Sequence, residues 1–432
     1  MTAYPTGEFR NEKYRPQFHF TPDRNWMNDP NGLVYYKGRY HLFFQHNPEA
    51  NVWGSMSWGH ATSSDLYNWR QEPVAIAGTP TSGIFSGSAV VDLNNTTGFG
   101  AAENPPIVAI YTEHQNDESN QSQCLAFSID EGATFTKFAG NPVLDIKAKN
   151  FRDPKVQWID DQWIMAVALA NYYKISFYSS PDLKSWKHLS DFGPAAEIGG
   201  VWECPDLIAF EDKWVLLVSL NPGGYQVGSG TQYFIGNWNG KEFIPDDVQT
   251  RWLDYGRDNY AGVTFSNVPE KKKIFLGWMS NWHYAGKVPT DPWRSAMTLP
   301  RELSLEGDRI IQKPVIHPTG FPEVSFSTAD GGIRICENSE RYAEIGLRNQ
   351  KLYVETSHAW CDIDAPTLQE IPVGPGEIDI RVIVDRGSIE VFVDGGSIAI
   401  TNLIFIETAL SQVQPLSGVK ELRMAGLAPI PA

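Results

Sequence analysis

Short segments in which every second residue is apolar, each closed off by Gly, Pro, Asn or Asp, recur from one end of this chain to the other: residues 32–36, 40–45, 107–112, 162–168, 213–219 and 273–279. Alternation of that kind reads as half-buried strands, and few stretches carry the period of a helix. A chain patterned in this way has to be all-β. At 432 residues it is also too long for one ordinary compact domain, so two are expected, one of them large.

A weak echo organises the first part. Ser64-Asp65-Leu66-Tyr67-Asn68-Trp69, Ser128-Ile129-Asp130-Glu131-Gly132-Ala133-Thr134-Phe135 and Ser180-Pro181-Asp182-Leu183-Lys184-Ser185-Trp186 each run from Ser to Asp to an aromatic residue. Ser and Asp can bond back to the backbone of their own turn while the aromatic packs beside it. Spacings of about 50 to 65 residues suit one four-stranded blade per echo, the repeat of a β-propeller. Near residue 300 the texture changes. Residues 1–305 are read as the propeller, 306–320 as a charged, Pro-punctuated linker and 321–432 as a small β-sandwich. In the last of these, 378–384 and 388–393 are strands, and Asp394-Gly395-Gly396 is a turn before the next.

Composition narrows the partners. The net charge of −16 argues against nucleic acid and anionic membranes, both of which need a basic patch. No stretch approaches the roughly 18 apolar residues of a membrane span, and residues 1–20 hold no apolar h-region. The chain is therefore read as soluble, cytoplasmic as given, or secreted if a leader has been removed. The 15 Trp, 17 Tyr and 22 Phe are more than a core requires; most belong at sheet interfaces, and the remainder suit the C–H face of a sugar. Four separated cysteines include no C-x-x-C pair, the His lack ligand spacing and no Gly-rich phosphate loop precedes a helix, so neither metal nor cofactor is expected. A bridge between Cys336 and Cys361 is open.

Three acidic residues stand in unrelated local contexts: Asp29 in Asn25-Trp26-Met27-Asn28-Asp29-Pro30-Asn31-Gly32, Asp153 in Phe151-Arg152-Asp153-Pro154 and Glu203 in Trp202-Glu203-Cys204-Pro205-Asp206. Carboxylates set apart by their surroundings divide nucleophile and general-acid work in glycosidic cleavage. Turn donors around Asp29 would keep it ionised, although the same residues make an ordinary β-turn. Trp202 and Cys204 would raise the pKa of Glu203 toward that of a general acid, and a paired surface Glu is the plain alternative. Arg152-Asp153 reads equally as a surface ion pair or as a clamp in which Arg holds the Asp that grips sugar hydroxyls.

Together with Phe85-Ser86-Gly87-Ser88-Ala89-Val90, and with Val384-Asp385-Arg386-Gly387-Ser388-Ile389-Glu390-Val391-Phe392 near the C-terminus, these motifs resemble glycoside hydrolase family thirty-two, the β-fructofuranosidases, over nearly the whole chain. The resemblance implies a five-bladed β-propeller followed by a C-terminal β-sandwich, with Asp29 as nucleophile, Glu203 as acid/base and Asp153 stabilising the transition state. It further implies that Asn28, Gln45, Trp53, Phe85, Ser86 and Arg152 wall the fructose pocket. Trp282, in Trp278-Met279-Ser280-Asn281-Trp282-His283-Tyr284-Ala285, joins them, and that stretch is most similar to levanases and exo-inulinases. The sandwich reads as shorter than is usual for the family.

The expected activity is retaining release of terminal β-fructofuranosyl units from fructans such as levan and inulin, and from sucrose. A fructosyltransferase, including one forming a difructose anhydride, shares the covalent intermediate and is the alternative. A non-catalytic fructan-binding protein is the third reading, although a binder needs neither nucleophile nor proton donor. Flat sandwich faces would allow a homodimer.

Overall fold

The computed structural model describes residues 12–116 and 120–430. Five sheets of four main strands follow one another along the chain. Their first strands are Asn25–Tyr36, Ser82–Val91, Phe151–Ile159, Val201–Ala209 and Tyr260–Thr264. Each first strand lies against those of the neighbouring sheets, and the fifth returns to the first through a parallel bridge between Val34 and Ser266. The result is a closed five-bladed propeller with these strands innermost. Two further sheets, of five and six strands, face each other across an aliphatic core to form the sandwich. Among the described residues, helix is limited to three-residue turns.

Each gap between blades has its own apolar filling. Trp58 and Ile84 meet between blades one and two, Phe151 and Leu125 between two and three, Trp202 and Phe177 between three and four, and Phe275 and Tyr233 between four and five. Blades five and one meet around Met27 and Leu276, a cluster that also takes in Phe321, Ile383 and Phe392 from the sandwich side. Most of the aromatic excess is spent here, wedging twisted sheets apart and removing large apolar areas from water.

The echoed turns lie at the same place in blades one, two and three, between the third and fourth strands. Asp65 Oδ1 accepts the backbone N–H groups of Tyr67 and Asn68, and Asp182 Oδ1 those of Lys184 and Ser185. Trp69 and Trp186 close the turns through their indole N–H, bonded to the carbonyls of Leu66 and Leu183. In blade one the serine of the motif is Ser63, whose hydroxyl bonds Asp65 at 3.0 Å, not Ser64 as the sequence echo suggested. Blades four and five turn with Asn239-Gly240 and Gly307-Asp308, which explains why only three echoes could be seen.

The expected linker is not all connector. Residues Arg309–Pro314 pair along their whole length with Arg301–Glu306 and form the outer strand of blade five. The stretch expected to be shortened carries both sandwich sheets. All four cysteines are free thiols, Cys336 and Cys361 included.

Candidate active site

Every innermost strand breaks its pairing near its start. The ladder slips between Met27 and Pro30, Phe85 and Gly87, Arg152 and Lys155, Glu203 and Asp206, and Tyr260 and Val263. These are β-bulges, and each holds or abuts a two-residue unit ending in Pro or Gly: Asp29-Pro30, Ser86-Gly87, Asp153-Pro154, Cys204-Pro205 and Ala261-Gly262. The reason is steric: Pro cannot donate to a ladder and so survives in a sheet interior at a bulge, while a Cβ on Gly87 would lie 2.1 Å from the Ile110 carbonyl. In blades three to five the bulge puts Asp153, Cys204 and Ala261 at φ of 66°, 47° and 53°, a left-handed conformation that costs a non-glycine residue on the order of 1 kcal/mol or more. Five bulges at one level turn their side chains toward one axis.

Asp29 and Asp153 reach the same sulfur there: Cys204 Sγ lies 3.7 Å from Asp29 Oδ2 and 3.6 Å from Asp153 Oδ2. Asp29 Oδ2 also accepts the Ser86 hydroxyl at 2.6 Å, and its Oδ1 the Asn28 amide at 3.1 Å. Asn28 is oriented in turn by the Trp26 indole N–H, at 2.8 Å from Asn28 Oδ1. Asp153 accepts the backbone N–H of Cys204 at 3.0 Å, while its own N–H donates to Thr112 Oγ1. Glu203 is gripped on both oxygens. Arg152 Nε donates to Oε1 at 2.9 Å, and the Tyr260 hydroxyl donates to Oε2. Arg152 is steadied by Asn150, whose Oδ1 takes its Nη1 at 2.9 Å.

Three expectations change. The site raises Asp29 instead of keeping it low: burial, and next the charge on Glu203, push it up to about 6, against the hydrogen bonds from Ser86, Asn28 and Cys204. Arg152 gives its hydrogen bond to Glu203 and faces Asp153 only as a looser ion pair at 3.9 Å, so it does not hold Asp153 in place. Burial holds Asp153 above the usual carboxylate range, partly offset by the Arg152 charge. Trp202 is not a wall for Glu203, since successive strand residues point to opposite faces; it is fully buried between blades three and four beside Phe192.

The remaining expected residues divide. Asn28, Ser86 and Arg152 touch the carboxylates directly. Phe85 lies between Trp53, 6.3 Å away, and His114, on which it stacks at 4.7 Å. Trp53 is 52% exposed and stands at the rim. Trp282 is half-buried and packs on Trp26 and Trp278. Gln45 is buried, its amide N–H groups given to Asn31 and to the Ile84 carbonyl, so that it ties blade one to blade two. Sequence reasoning missed Tyr260, Cys204 as a contact of both aspartates, and Asn150. The Pro- or Gly-ended pairs were the available signal, one per blade.

Two family profiles cover this chain: the Glycosyl hydrolases family 32 N-terminal domain over residues 19–314, and the family 32 C terminal over residues 322–421. The levanase of Bacillus subtilis (strain 168) is 42% identical, with 92% of this chain and 67% of the levanase covered. The extracellular exo-inulinase of Aspergillus awamori is 36% identical, with 91% of this chain and 90% of that protein covered. Among solved structures, exo-inulinase from A. awamori superposes with a TM-score of 0.89 at 34% identity, covering 96% of this chain and 99% of that one. Fructofuranosidase from Schwanniomyces occidentalis complexed with fructose gives 0.85 at 34% identity, with 96% and 100% covered.

Proposed function

This chain belongs to the glycosyl hydrolases of family 32, and from that membership we propose that Asp29 is its nucleophile, Glu203 its acid/base and Asp153 the group that grips fructose hydroxyls in the transition state. The protein is a glycosidase that releases terminal β-fructofuranosyl units from fructans and sucrose. The observation that carries the residue assignment is the gathering of three carboxylates on one axis in three different settings: Asp29 under a hydroxyl and an amide, Asp153 under a backbone N–H, and Glu203 between a guanidinium and a phenol.

Asp29 attacks C2 of the terminal fructose, and the C2–O bond to the rest of the chain breaks as Glu203 passes its proton to the departing oxygen. The fructosyl–Asp29 ester is then opened by water, which gives a proton to Glu203 and its oxygen to C2; two displacements retain the anomeric configuration. Asp153, beside the ring, accepts hydrogen bonds that strengthen as positive charge builds on the sugar. Arg152 and Tyr260 hold the Glu203 carboxyl in one orientation, so that the proton is delivered without a search.

Polymeric fructan is the substrate we assign, in line with the levanase and exo-inulinase relatives, and a polymer of that size is met outside the cell. Product analysis from inulin, levan and sucrose at low conversion tests the reading. Fructose alone from the earliest time point is expected. Early oligosaccharides or difructose anhydrides would replace it with endo-cleavage or transfer, and no product at all would leave a binding protein.

A further inference from the structure

We infer that the exposed ring of Tyr172 forms a shelf outside the pocket on which the leaving part of a fructan chain rests. The inference builds on the hydrolase reading above. In blade three Leu169 pairs with Phe151 and Ala168 with Arg152, so the turn at Ala170–Tyr172 sits at the pocket end of the strand that carries Arg152 and Asp153. The Ala170 N–H donates to the Asn150 carbonyl at 2.9 Å, and the side chain of the same Asn150 holds Arg152, the partner of Glu203. One residue thus links the turn to the acid/base. The turn also packs on the innermost strand of blade four, which carries Glu203 itself.

Tyr173 closes the turn in the left-handed conformation (φ 53°) and faces the filling between blades three and four. Its neighbour Tyr172 is left 66% exposed, and Ile198, on the segment that leads into the blade-four strand, is 47% exposed. That segment starts beside the turn, since a Cβ on Gly193 would come within 2.3 Å of the Tyr173 carbonyl. Glu203 protonates the oxygen of the leaving chain, so that chain departs on the side of the strand that carries Glu203, against which the Tyr172 turn packs. An exposed aromatic face offers the apolar contact that the C–H surface of a fructofuranose takes. Sucrose, whose leaving group is a single glucose, presents no further sugar units to such a shelf.

The test compares Tyr172→Ala with the unaltered enzyme on long-chain inulin, levan and sucrose. The expected result is a loss of roughly 3- to 10-fold in kcat/KM on the polymers, carried by KM, with sucrose kinetics unchanged and the polymer rate restored in Tyr172→Trp. If the unaltered enzyme cleaves none of the three, the hydrolase reading falls and the shelf with it. If it cleaves them and the polymer-to-sucrose ratio is the same in Tyr172→Ala, the shelf alone is wrong. A change in sedimentation with an unchanged ratio would likewise overturn it, assigning the ring to a contact between copies.

Discussion

Ser86 is the main counterweight to the forces that would protonate Asp29. Burial and the Glu203 charge lift the carboxyl to about 6, and the hydroxyl at 2.6 Å is the largest opposing influence. As the proposed nucleophile, Asp29 must be ionised, so the acid limb of kcat/KM is expected near that value, with activity lost as pH falls through it. In Ser86→Ala the charged form loses a donor, and the limb should move up by roughly one pH unit, the worth of a hydrogen bond to a charged group. A pH profile on sucrose measures it, and an unmoved limb would break the link between Asp29 and that limb. At this scale the three acids stood out as candidates because their motifs occur together, although each alone had an ordinary reading as a turn residue or a paired charge. Their surroundings were not legible. Chain neighbours on a strand point apart, so the wall read from Trp202 was wrong, and one of the two partners of Glu203, Tyr260, comes from a blade 57 residues further on.

Beneath the bulges the innermost strands are tied to one another by side chains. Ser88 bonds the Pro154 carbonyl and the Val156 N–H, Thr264 bonds Asp206, and Ser266 bonds the carbonyls of Leu33 and Ala89. Lys155, two residues beyond Asp153, lies 3.3 Å from Asp206, three beyond Glu203, and also donates to the Thr264 carbonyl. This pair is buried, and it fixes the strands of Asp153, Glu203 and Tyr260 against each other. Removing one member of a buried ion pair costs about 3–5 kcal/mol. Lys155→Met should therefore lower the melting temperature and, because a shift near 1 Å at a reacting group is expensive, reduce kcat on the order of 10- to 100-fold with KM little changed; Lys155→Arg should recover part of it. Steady-state kinetics beside a thermal melt check both. The strand alternation and the Ser-to-Asp turns were readable because they obey local chemistry. The bulges were harder to read, since a slipped ladder depends on the partner strand, and residues 309–314 looked like linker because a short, charged outer strand carries little apolar signal.

The propeller and sandwich are joined through buried charge. His19 bonds Asp385 and Glu390, each at 2.8 Å; Glu390 bonds Arg301 at 2.6 Å, and Arg301 bonds Asp254 at 3.1 Å. Burial alone would lower His19, but the two carboxylates outweigh it and push it up to about 9. A folded pKa above the unfolded one means that the stabilisation is complete below about 6.5 and lost as pH rises through about 9. The melting temperature should fall between pH 7 and 9.5, and fall less steeply in His19→Gln; equal slopes would exclude His19 as the cause. Asp254, Arg257 and Asp258 bind the backbone of Thr401 and Leu403, and a Cβ on Gly256 would press into Thr401. Those residues lead directly into Tyr260. The sandwich therefore braces the far side of the Glu203 grip, which sequence could not reveal because the contacts span more than 140 positions.

That brace also sets an order in time. Asp29 is synthesised long before Leu403, yet the segment that places Tyr260 is pinned by the strand that ends there. At roughly 5–20 residues per second of synthesis, the proposed nucleophile waits on the order of 20 to 80 seconds for that part of its scaffold. The nascent chain is expected to be inert until that strand has emerged, and any chain cut short before it to be a propeller without a working acid.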